Sequence, residues 1–228
     1  MITPFLAALL SVSTAQLDMP GGRSLLLNTE VGAKFIYESK SVVKVAKSEG
    51  VMTSRYEMTV SEFDPKGTAT FKTASKGTYA TGGKEIDLPE SVTTSKMELN
   101  GWFLSIDPAP TSRDQARGRR IMQYLVTKGK AIKGSHWTWT ENASPLNGNT
   151  SAAGQGDVME FGSKGGVACA KLHITLKETE GAFPASAVFD VWVSLKDGMQ
   201  VESEIVLENV PVGANLAKMN VKIKRVEK

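Results

Sequence analysis

The chain has 228 residues, of which 41% are hydrophobic and 22% are charged. This composition is typical of a globular protein and excludes collagen, a coiled coil, bulk disorder and a polytopic membrane protein. A single cysteine excludes an internal disulfide framework, and a total of two histidines argues against a histidine-rich metal site. The net charge of +3 is too small to predict a nucleic-acid partner.

The N-terminus has the pattern of a secretory signal peptide. Residues 2–12 form an apolar run that is shorter than the roughly 20 residues needed to span a bilayer. The small residues Ser13 and Ala15 precede Gln16 at the spacing of a cleavage site. We therefore predict a signal peptide over 1–15, cleaved near Ala15-Gln16. No later run is apolar enough to cross a membrane, so we expect an exported protein, periplasmic or extracellular, with no transmembrane segment.

Most of the remaining chain alternates between apolar and polar residues. In one run, Ala170, Leu172 and Ile174 alternate with Lys171 and His173. Strict alternation predicts strands with one buried and one solvated face, which is typical of antiparallel sheets. The sequence therefore predicts a mainly β protein.

Two dipeptides predict tight hairpins. Asn100-Gly101 and Asp197-Gly198 each lie between apolar runs. Both central residues of a type I′ turn need positive φ, which Asn, Asp and Gly tolerate best. We therefore expect type I′ turns at both positions.

One segment interrupts the alternation. Thr111 or Ser112 can cap a helix that runs from about Arg113 to Val126 and stops at Gly129. The sequence therefore predicts one connecting helix near 112–126.

Three landmarks recur in the same order, which indicates an internal duplication. The pattern Gly, two residues, aromatic, one residue, aromatic begins at Gly32 and again at Gly134, an offset of 102. Turn-forming segments follow Phe63 and Phe161, an offset of 98, and the Asn-Gly and Asp-Gly turns are 97 residues apart. We therefore expect an antiparallel curved sheet or a β-sandwich, built from two similar β-meander halves in one compact domain. The predicted segments are a signal peptide over 1–15, an N-terminal loop over 16–29, a first β-meander repeat over 30–108, a linker helix over 109–130 and a second β-meander repeat over 131–228.

These landmarks resemble a group of secreted bacterial proteins of unknown function, which are similar to the periplasmic lipoprotein-carrier superfamily. The resemblance covers most of residues 30–226 at the level of pattern, and it implies a curved antiparallel half-barrel. In the carriers the concave face shelters acyl chains, so the resemblance implies lipid carriage here. No functional residue of the carriers transfers by motif.

Aromatic and basic residues supply the candidate ligand site. Trp137 and Trp139 share one strand face, and packing in the core explains them as well as a ligand-facing wall does. By the alternation of the strand, Trp192 lies on the face opposite Phe189 and Val191. A large ring on that otherwise solvated face has to be covered by another sheet, a ligand or a partner.

The region around the predicted helix is basic, with only Asp114 in opposition. Arg117, Arg119 and Arg120 are the candidates for binding anionic lipid head groups or a polyanion. A solvated charged face is the alternative.

No residue set indicates catalysis, a metal or a cofactor. Cys169 and His173 share a strand face but lie about 13 Å apart at 3.3 Å per residue, which is too far for one metal. His136 has no neighbour in sequence that would orient it. The sequence contains no motif of a known nucleophile, metalloprotease or phosphate-binding loop.

Three functions remain open at this point. The first is a non-enzymatic binding or carrier module for an apolar or amphipathic ligand, which requires an unfilled apolar cavity. The second is a structural or assembly component of the cell envelope that pairs through exposed strand edges. The third is a hydrolase whose acids converge only in the fold. A lipid or amphipathic ligand or an envelope protein is the expected partner, and the oligomeric state stays open.

Overall fold

The structure, a computed structural model, describes residues 21–212 and 215–226. The predicted signal peptide and the cleavage point near Ala15-Gln16 lie outside the described residues. The described chain contains, in order, β1 (Lys34–Val45), β2 (Ser48–Phe63), β3 (Thr68–Thr81), β4 (Lys84–Glu98), β5 (Phe103–Asp107), α1 (Arg113–Ile121), β6 (His136–Glu141), β7 (Ala152–Lys164), β8 (Val167–Glu178), β9 (Ser186–Ser194), β10 (Gln200–Val212) and β11 (Asn215–Val226). A short 3-10 helix, Pro145–Asn147, lies between β6 and β7.

The eleven strands described form one antiparallel sheet that curves without closing into a barrel. Their order is β5-β4-β3-β2-β1-β11-β10-β9-β8-β7-β6, so the first and last strands pair at the centre. β5 and β6 are the two edges, and the connection between them contains α1. The prediction of a mainly β, antiparallel curved sheet is confirmed, and a single sheet forms rather than a two-sheet sandwich.

The inner face of the sheet holds the core, and its apolar part lies mainly at the centre and on the second meander. The alternation predicted for β8 is confirmed, since Leu172 and Ile174 are buried while Lys171 and His173 stay partly exposed. The inner face of the first meander is more polar and carries cross-strand serine pairs. These are Ser39 with Ser54 at 2.7 Å and Ser75 with Ser91 at 2.8 Å. The helix α1 accordingly packs against β10, on the apolar side.

The two meanders repeat one another in local detail. Gly32 donates its N–H to the carbonyl of Val60 at 2.8 Å, and Gly134 donates its N–H to the carbonyl of Val158 at 2.8 Å. Both glycines have positive φ, 87° and 82°, which a residue with Cβ adopts at a cost. A β-bulge follows Val60 and another follows Val158. The landmarks that indicate a duplication in the sequence therefore have matching backbone geometry.

The helix is shorter than the spacing predicts. Ser112 caps it by accepting from the N–H of Gln115 at 3.1 Å, and the helix ends at Ile121 rather than near Val126. The chain beyond Ile121 is extended because Val126 donates its N–H to the carbonyl of Asn100 at 3.0 Å. This tertiary hydrogen bond replaces the helical bonds that the local sequence would otherwise make.

The hairpins at Asn100-Gly101 and Asp197-Gly198 form, but their turns are not type I′. In each, positive φ occurs only at the glycine, with 95° at Gly101 and 70° at Gly198. Gly101 donates its N–H to the carbonyl of Glu98 at 2.9 Å, which gives a three-residue loop that ends in a left-handed glycine. Among the described residues, the two-residue loops with positive φ at both positions are Gly82-Gly83 and Gly165-Gly166.

Candidate functional site

Two extended segments cross between the halves and frame the candidate site. We call residues 25–28 the first strap and residues 122–127 the second strap. Asn28 of the first strap donates its N–H to the carbonyl of Asp197 at 3.0 Å, in a hairpin of the second meander. Val126 of the second strap donates to Asn100, in the corresponding hairpin of the first meander. Each half thus holds the strap that precedes the other half.

Glycine lets each strap pass close to its hairpin. A Cβ at Gly101 would lie 2.9 Å from the carbonyl oxygen of Tyr124, and a Cβ at Gly198 would overlap the backbone of Leu26. Real Cβ atoms do not approach a backbone oxygen so closely. The Asn-Gly and Asp-Gly dipeptides therefore provide room for the straps as well as turns.

A cavity of about 200 Å³ lies between the straps and the inner face of the sheet. We call it the strap cavity. Most of its wall is apolar, and polar groups come from three tyrosines, Asn100, two glutamines and backbone. The lining side chains include Leu25, Leu27, Tyr37, Tyr56, Met58, Met97, Leu99, Phe103, Tyr124, Val126 and Met199. No Lys, Arg, Asp or Glu is among the described residues that line it.

The tyrosines give the strap cavity its polar character. The Tyr37 hydroxyl donates to the carbonyl of Gln200 at 3.1 Å, and its ring stacks on Tyr56 with centroids 5.0 Å apart. Among the described residues, the hydroxyls of Tyr56 and Tyr124 have no hydrogen-bond partner. Burial raises the pKa of Tyr37, Tyr56 and Tyr124 above the ordinary value, so all three phenols stay neutral donors at physiological pH.

A second, larger concavity of about 420 Å³ lies between the two edges of the sheet. We call it the seam groove, because β5 lines one side and β6 the other. The end of α1 and the Gln123–Leu125 part of the second strap complete the wall. Its lining combines apolar side chains with arginine. They include Trp102, Phe103, Leu104, Ile106, Pro110, Arg119, Arg120, Leu125, Glu141 and Leu146.

The three candidate arginines have different partners. Arg117 forms a two-fold contact with Glu178, with Nε to Oε1 at 2.8 Å and Nη2 to Oε2 at 2.6 Å. Arg120 forms a buried ion pair with Glu141. Burial lowers the pKa of Arg120 to about 10, which keeps it charged at neutral pH. Arg119 donates only to the backbone carbonyl of Pro108, at 3.1 Å. Two of the three charges therefore fasten α1 to the sheet.

Trp137 and Trp139 lie on the inner face of β6, close to Arg120. Their rings lie over Gly156 and Gly154 of β7, where a Cβ would overlap them. Trp137 donates its indole N–H to the carbonyl of Leu125 at 3.0 Å, and Trp139 donates to Glu141 at 3.2 Å. Trp137 therefore supports the second strap and Trp139 supports the ion pair, and neither ring lines the strap cavity or the seam groove.

Trp192 lies apart from the other candidates, on the outer face of β9. Its ring packs over Gly162, and the ammonium groups of Lys164 and Lys171 each lie 5.8 Å from the ring centroid. These two ammonium groups supply the cover that an aromatic ring on a solvated face requires.

Several residues that matter here give little signal in the sequence. Tyr56, Phe103 and Tyr124 meet only because the straps cross the sheet. Two histidine–aspartate pairs also form across strands, His136 with Asp157 at 2.8 Å and His173 with Asp190 at 2.9 Å. The partner of His136 is therefore a strand neighbour that linear spacing does not reveal.

Cys169 differs from its expected place on a solvated strand face. Its side chain is fully buried, and its Sγ donates to the carbonyl of Val167 at 3.2 Å. Burial raises the pKa of the thiol, which disfavours the reactive thiolate.

A third concavity, of about 890 Å³, lies on the outer face and is lined by side chains of both charges. Glu38 pairs there with Arg55 at 3.0 Å, and Glu204 pairs with Lys222 at 2.7 Å. Such paired and solvated charges describe a polar surface rather than a ligand pocket.

No helix among the described residues has the length and apolar character needed to cross a membrane.

Comparison with known proteins gives matches of fold. No protein-family model and no curated protein matches the sequence. A lipovitellin structure, whose title concerns lipid–protein interactions, matches with a TM-score of 0.49 and 11% identity. The match covers 88% of this chain but only 26% of that chain, so the present sequence spans about a quarter of lipovitellin.

Two bacterial structures match over most of both chains. The hypothetical lipoprotein YmcC from Escherichia coli matches with a TM-score of 0.34 and 12% identity, over 88% of this chain and 89% of its own. A protein from Bacteroides fragilis, described as exported and YmcC-like in fold, matches with a TM-score of 0.33 and 10% identity. That match covers 91% of this chain and 100% of its own. Each of these three structures is less than 25% identical to this chain, so each match concerns the fold alone.

Proposed function

We propose that this protein is an exported, non-enzymatic binding or carrier module for an amphipathic ligand with an acyl chain. The strap cavity is the observation that carries the proposal. It is a partly open, mostly apolar concavity lined by Met58, Met97, Phe103 and Met199. An apolar concavity with a few convergent polar groups favours a role in ligand binding.

The polar groups of the strap cavity narrow the class of ligand. Tyr56 and Tyr124 offer neutral hydroxyl donors, and no charged side chain of the described residues lines the wall. A neutral donor in an apolar pocket suits an acceptor oxygen such as that of an ester or amide. The part of the ligand inside the strap cavity is therefore an acyl chain with its carbonyl.

The size of the cavity indicates how much of the ligand it holds. Typical small-molecule pockets have volumes of about 300–1,000 Å³, and the strap cavity at about 200 Å³ is below this range. Methionines form part of its wall, and their unbranched side chains adapt readily to a guest. A space of this size holds part of one acyl chain rather than several chains.

The test is a calorimetric titration with monolauroyl glycerol below its micelle concentration. Met58→Trp places a large ring in the strap cavity and is expected to weaken binding by at least about tenfold. Met52→Trp is the matched control, because Met52 is on the same face of the same strand but outside the cavity. The proposal would be overturned if Met58→Trp bound monolauroyl glycerol as tightly as the wild-type protein does. It would also be overturned if the wild-type protein did not bind monolauroyl glycerol.

A further inference from the structure

The seam groove carries a positive charge that no carboxylate neutralises. Arg119 lines the groove and donates to the Pro108 carbonyl, and within the described residues no acidic side chain pairs with it. Arg120 also lines the groove, but its charge is balanced by Glu141. The groove therefore has one unbalanced cation, provided by Arg119.

The wall beside Arg119 is apolar. Phe103, Leu104 and Ile106 of β5 form one side, and Leu146 lies among the residues of the other. Leu104 is 41% exposed, which is a large value for a leucine beside a concavity. A cation next to exposed apolar surface is suited to the junction between an anionic head group and a hydrocarbon chain.

The seam groove and the strap cavity share part of their walls. Phe103 and Gln123 line both. The second strap alternates as an extended segment does, so Tyr124 and Val126 face the cavity while Leu125 faces the groove. A ligand that bends around Phe103 can therefore place its head in the groove and its tail beneath the strap.

We propose that the ligand is a phosphate-bearing amphipath whose head group binds Arg119 in the seam groove and whose acyl chain occupies the strap cavity. This inference rests on the proposed function and adds the charge of the head group and the edge of the sheet at which it binds. Guanidinium is the side chain best matched to phosphate, since its donors meet two oxygens at once.

Two ligands that differ only in the phosphate test the proposal. Monolauroyl glycerol and lauroyl lysophosphatidic acid are titrated into the mature protein below their micelle concentrations, at low ionic strength. The phosphate ester is expected to bind about tenfold more tightly to the wild-type protein. Added salt is expected to reduce this advantage, because exposed charges are screened. Glycerol 3-phosphate, which has no chain, is expected not to bind measurably.

Variants then locate the charge that the phosphate recognises. Arg119→Gln is expected to remove most of the tenfold advantage, because it weakens binding of the phosphate ester much more than binding of monolauroyl glycerol. Arg119→Lys keeps the charge and is expected to retain part of the advantage. Lys133→Gln removes one charge from an exposed position outside the groove and serves as the control.

The outcomes separate this inference from the proposed function. Equal affinities for the two lauroyl ligands, or an advantage that survives Arg119→Gln, would overturn the inference and leave the acyl-chain site in place. Glycerol 3-phosphate binding as tightly as its lauroyl ester would overturn it in favour of a free phosphate site. Failure of both lauroyl ligands to bind would overturn the inference and the proposed function together.

Discussion

At the residue scale, the buried tyrosines predict how stability depends on pH. Burial raises the pKa of Tyr37, and of Tyr56 and Tyr124, in the folded protein. The unfolded chain ionises first as pH rises through about 10, so the folded state then binds more protons than the unfolded state. The contribution of the neutral phenols to the free energy of unfolding is therefore complete below about pH 10. Above that pH the free energy of unfolding falls, by up to about 1.4 kcal/mol per pH unit for Tyr37.

Urea unfolding at about pH 9 and about pH 11 measures this loss. Tyr37→Phe is the comparison, because it removes one ionising group together with the hydrogen bond to Gln200. We expect this variant to be less stable than the wild type near neutral pH but to lose stability more slowly in alkali. An unchanged alkaline slope would show that Tyr37 ionises as easily in the folded as in the unfolded state.

A glycine beneath a tryptophan gives a second prediction at this scale. A Cβ at Gly156 would overlap the ring of Trp137, so Gly156→Ala is expected to lower the free energy of unfolding by about 1–3 kcal/mol. Gly118→Ala is the control, because a Cβ there meets only the Val210 side chain, at 3.9 Å, and the backbone of Pro211, at 4.0 Å. In the helix interior that change is expected to stabilise the protein by up to about 1 kcal/mol. Urea unfolding of both variants measures whether the free energy of unfolding falls for Gly156→Ala and rises for Gly118→Ala.

At the element scale, two ion pairs hold the short helix α1 in place. Arg117 and Glu178 are both largely buried, and Glu178 also accepts from the N–H of Ala185 at 2.7 Å. Removing one partner leaves the other charge buried and unpaired, so Arg117→Met is expected to destabilise the protein by about 3–5 kcal/mol. The double variant Arg117→Met with Glu178→Met is expected to recover part of that loss. Chemical denaturation gives the free energy of unfolding of both variants. A double variant that is no more stable than Arg117→Met would contradict the view that the unpaired buried charge causes the loss.

The sequence predicts most of the elements because local rules govern them. Period-2 alternation identifies strands such as β8, where one face meets the core and the other meets water. The end of α1 is mispredicted because a bond from Val126 to Asn100, far away in sequence, overrides helix propensity. The turns at Gly101 and Gly198 are placed correctly but mistyped, because the straps crossing them set the backbone geometry.

At the scale of the whole molecule, the two straps tie the halves together. The first strap bonds to both hairpins, through Leu27 to Leu99 and through Asn28 to Asp197, while Val126 of the second strap bonds to the hairpin of the first half. The strap cavity depends on these contacts, since its wall takes residues from both straps and both hairpins. Sequence periodicity cannot show it, because neither strap is a strand or a helix with a readable pattern.

The candidate ligand residues illustrate the same limit. The sequence gives no reason to distinguish Arg117, Arg119 and Arg120. Arg117 pairs with Glu178, and Arg120 pairs with Glu141, each more than 20 residues downstream. Arg119 lines the seam groove without an acidic partner among the described residues. The sequence places Trp137 and Trp139 on one strand face, and on that face Trp137 bonds to the second strap while Trp139 bonds to Glu141. The tyrosines of the strap cavity lie on β1, on β2 and in the second strap, and only the folded sheet brings them together.

The carrier proposal is tested by native mass spectrometry of the protein, purified without detergent from the envelope of the cells that produce it. We expect a monomer that carries one lipid-sized adduct, which is lost on denaturation and is absent from Met58→Trp. A clean ligand-free mass, with a ladder of oligomers, would contradict the carrier proposal and favour a structural component that assembles through the strand edges β5 and β6.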